Sequence, residues 1–126
     1  MTLPENLKYT KDHEWILVEG TTGTVGITDH AQGELGDVVF VELPAPGKTV
    51  KRGESFGTIE AVKAVSDLYA PVSGQITVTN GDLSANPELV NKDPYGKGWM
   101  VKIKITNPDE LKGLMDAAAY QATIGK

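Results

Sequence analysis

Gly57-Thr58-Ile59-Glu60-Ala61-Val62-Lys63-Ala64-Val65-Ser66-Asp67-Leu68-Tyr69 reads as two strands with a chain reversal between them. The residues left for the reversal are Ala61-Val62-Lys63-Ala64. Two-residue hairpins ordinarily use Asn-Gly, Asp-Gly or another glycine, because the tightest turns need positive φ. None is present. A type I turn tolerates these residues, but alanine and valine gain little from an exposed tip, so folding alone does not select them. The choice makes sense if another protein reads the tip. Small neighbours leave Lys63 unobstructed, and stiff flanking strands fix where its amine points. The competing reading is one solvated lysine among many, and the turn by itself does not dismiss it.

Working outward, the chain is rich in short extended segments. Glu14 to Val18, Val38 to Leu43, Ser55 to Glu60 and Gln75 to Thr79 carry β-branched and aromatic residues and are bounded by Gly, Pro or Asn. Trp99 to Thr106 alternates strictly, with Trp99, Val101, Ile103 and Ile105 on one face, as a half-buried antiparallel strand does. Helices are few. Thr28 to Gly36 reads as a short one with Thr28 as N-cap, and Asn86-Pro87-Glu88-Leu89 opens a single turn. A third is expected over about 108–123, with Asn107 as cap, Pro108 first and Glu110 at the capping-box position. Its stripe of Leu111, Leu114, Met115, Ala118 and Ala119 would lie across the sheet. Pro44 to Glu54 and Pro71 to Asp82 echo each other faintly, as two half-units flanking residues 55–70.

Composition narrows the function. A length of 126 residues fits one domain, 1–126, with 40% apolar and 23% charged residues. The absence of cysteine excludes disulfides, thiol nucleophiles and thiolate metal sites. A net charge of −5 with no basic stripe argues against nucleic acid as a partner. No long apolar run or basic leader is visible, so the expectation is a cytoplasmic chain with no membrane association. Gly47-Lys48-Thr49 resembles the end of a phosphate-binding loop, but Glu42 stands where that pattern needs glycine, and a turn is expected. His13 and His30 have no metal-ligand spacing and no metal site is expected. His13 reads as structural, and Trp15 and Trp99 as packing residues.

Glu60-Ala61-Val62-Lys63-Ala64 resembles the lipoyl-attachment motif, and Val62 and Ala64 replace the methionines that flank the lysine in biotin carriers. Tyr9 to Trp15, Gly26 to Gln32, Leu35 to Pro44, Tyr69 to Gly74 and Asn91 to Trp99 resemble, in order, stretches of the glycine cleavage H-protein family. The resemblance covers about Leu7 to Tyr120. It implies a mainly β fold, a flattened antiparallel β-sandwich or barrel-sandwich hybrid with short peripheral helices. It also implies lipoic acid amide-linked to Lys63, with Glu60, Val62 and Ala64 read by the lipoylating enzyme. The family usually has Ser where this chain has Ala61, which puts that recognition in question.

The resemblance further implies a non-catalytic, monomeric carrier. Its arm would move an aminomethyl group between glycine decarboxylase (P protein), aminomethyltransferase (T protein) and dihydrolipoyl dehydrogenase (L protein). Glu14 and Asp67, by motif position, are candidates for a cleft that shelters the loaded arm, with Asp12 adding charge. The alternatives are a lipoyl donor in lipoate relay to other complexes, a biotin carrier, an enzyme with its own site, and an unmodified interaction module.

Overall fold

The computed structural model describes residues 3–125 of the expected 1–126 domain; Met1, Thr2 and Lys126 lie outside the described residues. Among the described residues, nine strands form two antiparallel sheets. β1 (Lys8–Tyr9), β2 (Glu14–Glu19), β3 (Thr22–Ile27), β5 (Thr49–Val50), β8 (Gly74–Thr79) and β9 (Val101–Ile105) make the larger, in the order β1-β2-β3-β9-β8-β5. β4 (Val38–Glu42), β6 (Ser55–Ala61) and β7 (Val65–Tyr69) make the smaller, in the order β4-β6-β7. Both sheets are open, so the sandwich expected from the sequence is present without closure into a barrel.

Period two explains the core. Val101, Ile103 and Ile105 of β9 are buried while Lys104 is exposed, and Val41, Ile59 and Leu68 do the same for the smaller sheet. These residues join Ile16, Val25, Phe56 and Ile76 in one apolar cluster between the sheets. The two echoing segments end up side by side, with Thr49 opposite Gln75 and Val50 opposite Gly74. Gly47, at φ 105, turns the chain as expected for its segment.

Four short helices sit at the periphery: α1 (Asp29–Leu35), α2 (Asp82–Ala85), α3 (Leu89–Lys92) and α4 (Ala117–Thr123). Thr28 caps α1 by accepting from the Ala31 N–H at 3.2 Å. Among the described residues, no helix is long and apolar enough to cross a membrane.

The continuous helix expected over about 108–123 is not formed. Pro108–Gly113 is a 3₁₀ helix, and a break precedes α4. Two competing interactions cause the break. The Glu110 carboxylate, instead of completing a capping box, accepts from the Ser73 N–H at 2.6 Å and the Ser73 hydroxyl at 2.9 Å. Met115 is extended and exchanges backbone hydrogen bonds with Tyr9 at 2.7 and 2.9 Å, which a helical residue could not do. Leu111 and Leu114 then pack on the main core, whereas Met115, Ala117 and Tyr120 pack on a second cluster with Tyr9 and Trp15. The stripe therefore serves two cores rather than one sheet face.

Trp15 anchors the second cluster. Its indole N–H donates to the Pro94 carbonyl at 3.0 Å, and its ring lies over Gly26, the residue opposite it on β3. A Cβ on Gly26 would come within 2.7 Å of the indole. Gly26→Ala is therefore expected to destabilise the fold by about 1–3 kcal/mol, read as a lower urea midpoint with an unchanged denaturant slope.

Candidate functional site

β6 and β7 form the hairpin read from the sequence, with Glu60 opposite Val65. The Ala61 N–H donates to the Ala64 carbonyl at 2.9 Å, leaving Val62 and Lys63 at the tip. Neither has positive φ; among the described residues His13, at φ 70, is the only non-glycine that does. The tip therefore never needed asparagine or glycine.

Outside contacts stiffen it. The Val62 N–H donates to the Asp37 carbonyl at 3.0 Å and the Lys63 N–H to the Leu35 carbonyl at 3.3 Å. Between these acceptors, Gly36 at φ 82 lets the chain pass close beneath the tip. A Cβ there would sit 3.2 Å from a Val62 methyl and 3.3 Å from the Lys63 stem. Asn91, at the end of α3, fixes this backing loop. Its side-chain oxygen accepts from the Val38 N–H at 2.8 Å, and its amide donates to the Gly36 carbonyl and the Gln32 side chain, both at 2.9 Å. Asn91 lies in a stretch that carries the family resemblance, but no sequence signal gave it a role: its partners are more than fifty positions away.

Lys63, Val62 and Ala64 are exposed, and among the described residues the Lys63 ammonium has no ion-pair partner. Ala61 points the other way. It is only 8% exposed and sits opposite Val38 in the core. A hydroxyl at this position would face the interior, not a visiting enzyme.

Beside the hairpin, a cleft of about 320 Å³ opens between α1 and β7. Glu14 and Asp67, the two residues expected to share a cleft, both line it, as do Asp12 and the two histidines. Glu60 does not; its side chain is on the outward face of the smaller sheet. Leu35, whose carbonyl holds Lys63, is part of the cleft wall, so the tip and the cleft share one support.

Glu14 is the chemical centre of this cleft. It is 2% exposed, and its carboxylate accepts from the Thr10 hydroxyl at 2.6 Å and the Tyr69 N–H at 3.2 Å. Burial nevertheless outweighs both hydrogen bonds and pushes its pKa up to about 8. His13 is pushed the other way, below the usual histidine range, by burial and then by the neighbouring His30. The rings of the two histidines lie 4.9 Å apart. The Tyr120 hydroxyl, 2.8 Å from His13 Nδ1 and 2.8 Å from the Thr28 hydroxyl, ties α4 to the cleft wall. The arrangement offers a buried carboxyl whose anion an arriving cation would favour, beside a His13 ring that burial disfavours as a cation. Among the described residues no group of three or more acidic or histidine side chains could hold a metal.

The model of the glycine cleavage H-protein family matches residues 7–126. The chain belongs to the glycine cleavage H-protein family. Glycine cleavage system H proteins of Bacteroides fragilis and Symbiobacterium thermophilum are 54% and 58% identical over 124 and 120 residues, covering 98% and 95% of this chain and 98% and 94% of theirs. The crystal structure of a glycine cleavage system H protein from Mycobacterium marinum superposes with a TM-score of 0.91 at 42% identity, over 98% of this chain and all of that one. The H-protein family therefore accounts for the open sandwich.

Two expectations follow for this H-protein family member. Asn91→Ala removes three hydrogen bonds behind the tip. At about 1–3 kcal/mol for a buried group left unpaired, amide exchange of Val62 and Lys63 should quicken by about tenfold or more, while exchange in β9 stays as it was. Glu14 binds its proton more tightly folded than unfolded. Its contribution to stability is therefore full below the unfolded pKa of about 4.5 and is lost as pH rises through about 8. Chemical denaturation between pH 5 and 8 should show stability falling by at most about 1.4 kcal/mol per pH unit from this group, a slope that Glu14→Gln removes.

Proposed function

We propose that this chain is a covalent carrier in glycine cleavage, with lipoic acid amide-linked to Lys63. The observation that carries the reading is the tip itself: an exposed lysine on a turn whose two amides are bonded to a fixed loop. That arrangement uses two backbone segments and the Asn91 side chain to aim one amine, which a merely solvated lysine would not require.

The residues present fit the group. Acylation removes the ammonium charge, and among the described residues Lys63 has no ion pair that acylation would break. The lysine stem plus the acyl chain reaches about 12–15 Å by counting ordinary bonds, enough to swing from the tip to the adjacent cleft or into a partner. When bound, lipoate supplies the disulfide that takes up the aminomethyl group and two reducing equivalents; the difficult chemistry stays with the cofactor and the partner enzymes. The protein's part is to hold the root of the arm and keep the cargo's effective concentration high at each successive site.

Between visits, the cleft gives the cargo amine a place out of bulk water. Glu14 is the group to meet it. A cationic amine entering the cleft favours the Glu14 carboxylate, so docking releases the proton that burial held there. Asp67 and Asp12, exposed at the rim, draw the amine inward. His13, held neutral by burial, adds no opposing charge.

The partners in this reading are glycine decarboxylase, aminomethyltransferase and dihydrolipoyl dehydrogenase, with a lipoylating enzyme acting first. Mass spectrometry on protein co-expressed with that enzyme and lipoate tests it. A single lipoyl adduct on the Lys63 peptide, absent from Lys63→Arg, is expected, followed by glycine-dependent gain of an aminomethyl group when the decarboxylase is added. An unmodified Lys63, or an adduct elsewhere, contradicts the reading. Because Ala61 faces the core, Ala61→Ser should leave the rate of adduct formation unchanged.

A further inference from the structure

Apart from Asp67, which stands at the rim of the cleft, the outward face of the smaller sheet has no role in the carrier chemistry, yet its register sorts it into two rows. Phe40, Glu60 and Val65 lie directly opposite one another across β4, β6 and β7. One step further from the tip, Glu42, Thr58 and Asp67 do the same. Side chains two apart on a strand share a face, so the row nearer Lys63 is apolar at both ends and the next row is acidic at both ends. A bulge between Val38 and Phe40 turns Val39 outward as well. Val39, Phe40, Val62 and Val65 are 50%, 52%, 67% and 66% exposed, which makes them four of the five large apolar side chains most open to water among the described residues. Such side chains gathered at one place mark an interaction surface.

The charges on this surface are one-sided. Across β4, the hairpin and its tip, the carboxylates are Glu42, Glu60 and Asp67, and Lys63 is the only lysine or arginine. All three carboxylates fall on the outward face by register, with Lys63 at its end. Acylation of Lys63 therefore does more than attach an arm. It deletes the only cation of the face, taking three carboxylates and one ammonium (−2) to three carboxylates alone (−3). It also adds the acyl chain to the exposed apolar side chains of Phe40, Val62 and Val65.

We propose that this face is the surface on which partner enzymes dock, and that acylation of Lys63 completes it. Its occupant is a partner surface in which an apolar depression, at the mouth of the channel that accepts the arm, is rimmed by Lys and Arg. The unmodified carrier presents an ammonium to that basic rim and is disfavoured. The acylated carrier presents the exposed apolar side chains and the acyl chain beside carboxylates that no cation opposes. Discrimination against unloaded carrier thus comes from charge at the root of the arm as well as from the arm itself.

The inference rests on the carrier reading, and the experiment separates the two. Binding to glycine decarboxylase is measured by titration calorimetry at low and high salt. The set is lipoylated wild type, unmodified wild type, unmodified Lys63→Gln, unmodified Lys51→Gln, and lipoylated Phe40→Ser/Val65→Ser. Each variant is first checked for an unchanged urea midpoint and for its sedimentation behaviour. Lys63→Gln removes the charge without adding an arm. It should bind roughly threefold tighter than unmodified wild type at low salt, the scale of one exposed charge contact. The difference should close once salt screens the face. Lys51→Gln, on another surface, should match unmodified wild type. The double variant should lose about tenfold or more at every salt concentration.

Equal affinity of Lys63→Gln and unmodified wild type, or an equal gain in Lys51→Gln, would overturn the electrostatic claim. Full affinity of the double variant would overturn the docking claim, and so would a wild-type dimer that the double variant abolishes, since a second copy would then be the occupant. If lipoylated wild type itself fails to bind, the carrier reading falls and this proposal with it.

Discussion

Leu35 and Asp37 offer their carbonyls to the amides of Lys63 and Val62, and Gly36 between them lies flat enough for the tip to rest on it. The site depends on this contact. A hairpin tip otherwise exchanges among conformations at little cost, because its amides are satisfied equally well by water. Here the amides have fixed acceptors, the acceptors lie in a loop closed by the Asn91 side chain, and that loop continues directly into β4 and hence the core. In the carrier reading, this stiffness at the root would fix where the arm's swing is centred, and the arm would supply the reach.

The same loop joins the tip to the cleft. Leu35 holds Lys63 with its backbone and lines the cleft, while Glu14, from the far sheet, crosses to bond the Tyr69 amide at the end of β7. Glu14 thus acts as a strut between the sheets and as the acid of the cleft. Burial raises its pKa and would destabilise it as an anion, yet an arriving ammonium reverses that balance. In the carrier reading, the buried acid at the floor of the cleft would gain its charge only when a cation docks, while the carboxylates at the rim attract it. His13 on its wall, which burial disfavours as a cation, fits the same logic.

Much of this was legible in the sequence, and the reason is local in each case. Period-two alternation gave β9, the Thr28 and Gly36 signals gave α1, and the absence of turn residues around Lys63 marked the hairpin as unusual. Glu14 and Asp67 were placed together by family resemblance, and the cleft brings them together. What stayed hidden depends on contacts distant in sequence. Nothing near Asn91 indicates that its side chain closes a loop at Gly36 and Val38. The helix expected over 108–123 had good caps and a good stripe, but Ser73 and Tyr9 compete for Glu110 and Met115, and neither competitor is visible locally. The two-residue strands β1 and β5 are too short to show any period. The outward face of Phe40, Glu60 and Val65 needed the register across three strands, which a single strand does not contain.

The claim at the centre of the account is that Glu14 waits protonated in the cleft and ionises when the cargo amine docks. Carbon-13 NMR of the Glu14 side-chain carboxyl, titrated on lipoylated protein before and after aminomethyl loading, tests it most directly. The account predicts a midpoint near 8 before loading and a shift to markedly lower pH after it. A Glu14 that titrates in the ordinary carboxylate range before loading, or whose midpoint does not move on loading, would contradict it.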